Sequence, residues 1–381
     1  MIRINNKAEC CGCGACAQRC PRKCITMQSD KEGFAYPVVD TKQCTNCGLC
    51  EKVCPVMNQQ PQSQPIATYA ATNSNEVVRE QSSSGGIFTL LAEETINKGG
   101  IVFGAAFNER WQVEHTYTND INDIKKFRGS KYVQSNIGNS YAVAEKFLKE
   151  DKEVLFCGTP CQIAGLKRFL RKEYKNLKTV DFVCHGTPSP LVWEKYLDEV
   201  CHANKIGNIT DIQFRNKAEG WKKYILQIKY VNHDGKEMIL RETLDDNIFM
   251  KCFLSNLCLR PSCYQCPARS GKSGSDITLG DLWGVEYICP EVDDDKGLSL
   301  VLQRKEYEFP PCDKKEISYS DALKYNPSIE RDVHEPKRRR KFFRLFHKNG
   351  VCKATQTCTT QSKFDIICNK IVWNIKNRIV R

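Results

Sequence analysis

Eight cysteines fall into two runs of one form, C-x2-C-x2-C-x3-C-P: Cys10, Cys13, Cys16 and Cys20 before Pro21, then Cys44, Cys47, Cys50 and Cys54 before Pro55. In a two-cluster bacterial ferredoxin, three closely spaced thiolates wrap one cubane and the fourth reaches across to the other. The spacing therefore predicts one [4Fe-4S] cluster on Cys10, Cys13, Cys16 and Cys54 and a second on Cys20, Cys44, Cys47 and Cys50. Gly12, Gly14 and Gly48 suit loops whose amides must bend close to sulfide. Zinc is the competing chemistry, but a zinc site needs two C-x2-C pairs rather than two complete runs that each end in proline. Cys11 and Cys24 stand outside the pattern and read as ordinary buried thiols.

Five more cysteines form an ordered set: Cys157, Cys161, Cys184, Cys263 and Cys266. Cys263 and Cys266 have chelating spacing after a turn-rich segment, Leu259 to Ser262, and two further thiolates could come from Cys161 and Cys184. These four are the preferred ligands of a third [4Fe-4S] cluster, with Cys157 as the alternate. A zinc site or a redox dithiol is the alternative for the C-x2-C pair.

The elements that must hold these residues follow from periodicity. Val154 to Phe156 runs as a strand into Cys157-Gly158-Thr159-Pro160-Cys161 and a helix to Arg171. Val180 to Val183 repeats the pattern through Cys184-His185-Gly186 and a helix from about Leu191 to Val200. Ile101 to Phe107 reads as a buried strand. In an α/β sheet, loops after strand C-termini gather in a ligand-binding crevice, so both cysteine loops are expected at one edge. Ile209 to Phe214, Tyr224 to Val231 and Glu237 to Leu240 alternate like antiparallel strands. The predicted fold class is accordingly α+β, or mixed α/β: a small ferredoxin-like two-cluster domain, then a larger mixed-sheet domain. The expected boundaries are 1–57 for the first, a Gln/Pro/Ser linker at 58–66, 67–325 for the second, and a basic tail at 326–381.

Composition agrees with a globular chain: 381 residues, 41% hydrophobic and 27% charged. Twenty-three cysteines without an export signal at Met1 to Lys7 point to metal rather than disulfides, and to a cytoplasmic setting. The net charge of +12 is concentrated in residues 331–381, which carry +11. That basic character therefore says nothing about chemistry in the body.

Ser82-Ser83-Ser84-Gly85-Gly86 opens a helical pattern and reads either as an N-cap or as an anion site for a cofactor phosphate. Gly12-x-Gly14-x-x-Ala17 imitates a dinucleotide fingerprint but lies inside the first cysteine run with no strand before it. Gly271-Lys272-Ser273 resembles the end of a P-loop, yet Cys266 stands where the leading glycine must be.

Six ordered stretches resemble the family of coenzyme F420 hydrogenase/dehydrogenase beta subunits, which are iron–sulfur flavoproteins. They are Ser83 to Gly86, Arg128 to Gln134, Gly158 to Gln162, Cys184 to Gly186, Pro261 to Cys266 and Asp276 to Gly284. The resemblance implies FAD in the larger domain, with Ser83, Ser84, Gly85 and Gly86 and the loop Gly129, Ser130, Lys131 and Tyr132 as contacts. It also favours the third cluster. A flavin accepts a hydride and releases electrons singly, which suits clusters that carry one electron each. Lys131, His185 and Asp281 are the candidates for substrate or flavin contact; a surface lysine, a turn histidine and a loop-capping aspartate are the bland readings.

The expected activity is that of an iron–sulfur flavoprotein oxidoreductase. It would couple hydride exchange at FAD, with a small redox carrier or metabolite, to one-electron transfer with ferredoxin or a deazaflavin-like carrier. The rival readings are an electron-transfer component whose catalysis lies on a partner redox subunit, and a zinc-stabilised interaction protein. Lys337 to Arg344 is basic with interleaved aromatics, and Phe364, Ile367, Cys368, Ile371, Val372, Ile375 and Ile379 would share one helical face. The commoner reading of that pattern is a helix packed on the body with a solvated basic face; peripheral contact with a membrane surface comes next, and nucleic acid after it.

Overall fold

The structure is a computed structural model and describes residues 1–360. The predicted amphipathic face from Phe364 onward lies outside the described residues. At the centre of the fold is an eight-stranded sheet. In spatial order the strands are Asp313–Glu316, Ala67–Thr72, Ser299–Gln303, Ile277–Asp281, Leu177–Phe182, Val154–Cys157, Ile101–Phe107 and Val113–Thr118. Ile277–Asp281, Leu177–Phe182, Val154–Cys157 and Ile101–Phe107 run parallel, and the outer strands pair antiparallel. The sheet is mixed because its parallel centre, built from strand–loop–helix units, is closed on both sides by antiparallel pairing.

Both faces of that centre are covered, which is why its strands are near-continuous apolar runs. Ser140–Lys149 and Pro160–Leu170 pack one face with Phe103, Phe156 and Ile163, while Ile87–Asn97 packs the other with Val102, Leu155 and Val180. The strands Ile206–Asn216, Ile225–Asn232 and Glu237–Thr243 form a separate antiparallel sheet. Its apolar side meets Pro190–Ala203 and Ile248–Leu254 around Trp193, Phe214 and Phe249.

The cysteine-rich segment folds on a hairpin, Ile25–Ser29 with Ala35–Val39, and two short helices, Ala15–Arg19 and Leu49–Lys52. Gly14 and Gly48 cap these helices with the same backbone, φ 72° at both, so the sequence repeat is also a conformational repeat.

Residues 339–359 pack on the body rather than offering their aromatics to a nucleic acid or an anionic surface. The helix Arg339–Thr359 bends at Gly350 and buries Phe342, Phe343 and Phe346 in the same core as Trp193. The aromatics that interleave the basic run are thus core residues, unavailable for stacking on bases. Arg339 is buried too, and pairs with Glu32 of the cysteine-rich segment. Among the described residues no helix is long and apolar enough to cross a membrane.

Candidate redox centre

Parallel order in the central sheet puts the loops after Cys157, Phe182 and Asp281 at one edge. Cys161 opens the Pro160–Leu170 helix and Cys184 follows the next strand. Cys263 and Cys266 come from the turn Pro261–Gln265 and its end. Burial raises the Cys184 thiol well above its ordinary value, and Cys263, Cys161 and Cys266 raise it further as neighbouring negative charges. The four cysteines preferred for a third cluster are therefore brought together. Cys157 stands apart, with Asp181 and Lys131 as its charged neighbours.

The first run behaves alike. Burial pushes Cys16 up to about 12, helped by Cys10, Cys54 and Cys50. A hydrogen bond with Cys11 pulls Cys13 down, yet burial and the charges of Cys16 and Cys54 leave it raised. Cys20, Cys44, Cys47 and Cys50 line one hollow that opens to solvent. Cys24 borders it, its Sγ 3.4 Å from that of Cys20.

Thiols that crowd and raise one another carry a charge penalty that a bound cationic group relieves. Among the described residues, no three His, Cys, Asp or Glu side chains close around a single-ion position. Three four-thiol groupings with soft donors only, one around an open hollow, fit iron–sulfur cubanes. Cys11 is the unforeseen member: buried, it contacts both Cys13 and Cys161 and so stands between the first grouping and the third.

The segment is seated by contacts from the larger body. Gln134 Nε2 donates to the Cys11 carbonyl (3.1 Å), and Gln18 Oε1 accepts the Tyr141 and Ala142 amides (3.2 Å each). Arg19 pairs with Glu145 at 3.0 Å. Gly165, inside the Pro160–Leu170 helix, allows the close approach of Cys13: a Cβ there would lie 2.8 Å from Cys13 Cβ and from Tyr141 Oη.

The two stretches implied as flavin contacts also meet. Ser83 Oγ accepts the Ser130 amide (2.7 Å), and the Ser130 hydroxyl lies 2.9 Å from it. Gly86 is the N-cap of Ile87–Asn97, while the Gly85 amide is spent on Ser299 Oγ (3.0 Å). Lys131 Nζ donates to the carbonyls of Arg128 (3.2 Å) and Gly129 (3.3 Å), and burial lowers it to about 8, against the pull of Cys157. Tyr132 stacks on Phe253 (4.8 Å), whose far contact is the His185 ring (5.0 Å). His185 is held by Asn256 Oδ1 (2.6 Å), which gives it a structural bond whatever else it does.

Asp281 forms an ion pair with Arg215, which lies over the Tyr224 ring (4.1 Å). Arg215 Nε and Nη2 are buried and have no partner among the described residues. Next to them Trp221 stacks on Trp283 (5.0 Å), and its Nε1 donates to the Ser83 carbonyl (3.2 Å). Lys217 Nζ binds the carbonyls of Arg79 and Ser84 (2.8 Å each), and burial brings it to about 8. Unsatisfied guanidinium donors, aromatic faces and open space beside Gly129 fit an aromatic cofactor with anionic or carbonyl oxygens. Arg215, Lys217, Trp221 and Arg260 were not legible as site residues. Arg215 and Lys217 lie in or after an ordinary strand, and only the nearby Asp281-Leu282-Trp283 stretch hinted at them.

Comparison with known proteins gives three matching family models. Residues 9–58 match a 4Fe-4S dicluster domain. Residues 68–140 match the N-terminal part of the coenzyme F420 hydrogenase/dehydrogenase beta subunit, and residues 151–307 its C-terminal part. A curated relative, one of the subunits of the F(420)H(2) dehydrogenase of Methanosarcina mazei, is 24% identical over 229 residues, 56% of this chain. The match spans 63% of that relative's length. Among solved structures, a chain of the F420-reducing [NiFe] hydrogenase complex from Methanosarcina barkeri is 17% identical, with a TM-score of 0.40 over 64% of this chain and 77% of that one. With the N-terminal and C-terminal models of the beta subunit matched in order behind a dicluster segment, the chain belongs to the family of coenzyme F420 hydrogenase/dehydrogenase beta subunits.

Proposed function

We propose that the chain is an iron–sulfur flavoprotein that exchanges a hydride with a soluble carrier and passes electrons singly through three [4Fe-4S] clusters. The observation that carries this reading is the sequence of thiol groupings joined by Cys11: Cys161, Cys184, Cys263 and Cys266 on one side, Cys10, Cys13, Cys16 and Cys54 on the other. Cys20, Cys44, Cys47 and Cys50 lie beyond them, and exposed Cys47 makes this the outlet to a one-electron partner such as ferredoxin or a partner redox subunit.

FAD, when bound, supplies two-electron exchange with a hydride carrier and one-electron exchange with the clusters. Ser83, Ser130, Tyr132, Arg215 and Trp283 would hold it, with Lys131 as the candidate contact for substrate. Asp281 orients Arg215, and His185 supports Tyr132 through Phe253; neither is needed as an acid or base. The likeness to F420-dependent relatives makes a deazaflavin-like carrier the first donor to try. A second reading, catalysis on a partner chain, is favoured by the family's being one of subunits.

The test is iron, acid-labile sulfide and released flavin per chain in protein purified without oxygen. About twelve irons and one FAD support the reading, whereas about eight irons remove the third cluster. Zinc without sulfide or flavin overturns it. Reduction by a deazaflavin donor without a second protein separates the first reading from the partner-dependent one.

A further inference from the structure

Arg260 is 1% exposed, among the most deeply buried large side chains of the protein. An arginine cannot shed its charge by deprotonation, so burial demands compensation. Yet among the described residues no carboxylate pairs with it. Its Nε donates to the Cys10 carbonyl (2.7 Å), Nη1 to Gln134 Oε1 (3.0 Å), and Nη2 to the Ala35 carbonyl (2.9 Å). Nη2 also lies 3.5 Å from Cys10 Sγ, and the guanidinium sits over the Tyr36 ring at 4.4 Å.

Its position in the chain gives it a second address. Arg260 immediately precedes the turn that carries Cys263, and its charge reaches the other thiol grouping as well. The Cys263 amide donates to the Arg260 carbonyl (2.9 Å), and the Arg260 charge acts on the Cys161 and Cys263 thiols as a neighbouring cation. The fit against the cysteine loop is close: a Cβ on Gly12 would lie 2.6 Å from Arg260 Nη1 and 2.7 Å from Cζ. One fixed positive charge is thus wedged between ligands of two groupings.

We propose that Arg260 is a potential-setting residue: a buried counter-charge that stabilises the more reduced state of the cluster sites at Cys10/Cys13/Cys16/Cys54 and at Cys161/Cys184/Cys263/Cys266. The proposal rests on the cluster assignment above and goes beyond it by naming the charge that tunes two of the three sites. Adding one electron to a thiolate-ligated site adds one negative charge, and a hydrogen bond to sulfur or a nearby cation lowers the cost of that charge. Arg260 supplies both at Cys10 and the cation at Cys161 and Cys263. Among the described residues, the grouping at Cys20, Cys44, Cys47 and Cys50 has no such contact with Arg260, so its potential is set without it.

The experiment is a redox titration followed by electron paramagnetic resonance on anaerobically purified full chain, comparing wild type, Arg260→Lys and Arg260→Met. The methionine variant is expected to lower the two tuned potentials by at least a tenfold change in the one-electron equilibrium, about 59 mV, with the third potential unmoved. Lysine keeps a charge but not the planar fork, so it should recover part of the shift. Should the methionine variant fail to load iron, the lysine variant decides alone: unchanged potentials overturn the proposal, and a fall confined to two sites supports it. A merely structural arginine would lower stability and leave loaded potentials where they were. The wild-type iron count separates the two failures, since about eight irons would refute the third site while the Cys10 site still tests Arg260.

Discussion

Replacing Gly165 by alanine sets two effects of opposite sign against each other. The residue lies inside the Pro160–Leu170 helix, where alanine is favoured over glycine by about 1 kcal/mol. Against that, the new methyl would stand 2.8 Å from Cys13 Cβ and Tyr141 Oη, and 3.0 Å from Cys13 Sγ. Neither neighbour can swing away. Tyr141 is fully buried and its hydroxyl donates to the Gln162 carbonyl at 2.8 Å, while Cys13 is buried among thiols that share one centre. Overpacking of this kind costs about 1 to 3 kcal/mol, and rigid neighbours place Gly165 at the upper end. The net expectation is a loss of about 1 to 2 kcal/mol in the metal-free chain, from the difference of the two terms. A larger effect is expected on cluster occupancy, because a displaced Cys13 removes one corner of its site: about four irons per chain should be lost. Urea unfolding and iron analysis measure the two separately. A variant with full iron and a higher unfolding midpoint would mean that the cysteine-rich segment is not seated on this helix, and the reasoning would fail.

Asp281→Asn strands the buried Arg215 charge and should lower stability by about 3 to 5 kcal/mol in chemical denaturation; a loss below about 1 would show that the ion pair is not the main task of Asp281. Burial holds His115 down to about 4, against the pull of the Cys157 carbonyl, so the unfolded chain binds the extra proton first as pH falls. Stability contributed by neutral His115 is present above its unfolded value near 6.5 and drains away toward pH 4, by up to about 3 kcal/mol. His115→Gln should flatten that window relative to wild type. Lys131, lowered to about 8 by burial, acts with the same sign in a more alkaline window: the folded chain releases its proton before the unfolded one, so stability should rise between pH 8 and about 10.4. In Lys131→Met this rise should be missing from the difference between the two unfolding curves; an identical pH slope would count against a buried amine.

What was legible in the sequence was whatever repeats locally. The two cysteine runs announce their chemistry by spacing alone, and the strand–loop–helix rhythm around Cys161 and Cys184 was enough to anticipate that parallel strands would bring both to one edge. The antiparallel trio from Ile206 to Thr243 was also visible, because alternation is a period-two signal. Residues whose roles depend on distant partners were not. Arg260 looked like part of a turn, since nothing local reveals that Cys10, 250 positions earlier, is its partner. Cys11 read as a spare because its second contact, Cys161, belongs to another part of the chain. The basic run after Lys337 suggested a nucleic-acid or membrane contact for the same reason: Glu32, the partner of Arg339, is 307 residues away. Charge patterning tells which residues need partners but not where the fold will supply them.

That long-range pairing has a consequence for biogenesis. The eight cysteines of the two runs are translated before residue 58, whereas Gln134, Gly165, Arg260 and Arg339, on which their segment rests, follow one by one. At typical synthesis rates the interval from residue 58 to residue 339 is roughly 15 to 60 s. Throughout it, the thiols emerge without the surfaces that later bury them, and the helix that closes the last contact is among the final segments described. Cluster delivery to the nascent segment and completion of its seat are therefore separate events in time. The chain has a built-in stage at which an iron–sulfur donor could reach Cys10 to Cys54 freely, and a later one at which Cys10, Cys11 and Cys13 are closed in by Arg260, Gln134 and the Pro160–Leu170 helix.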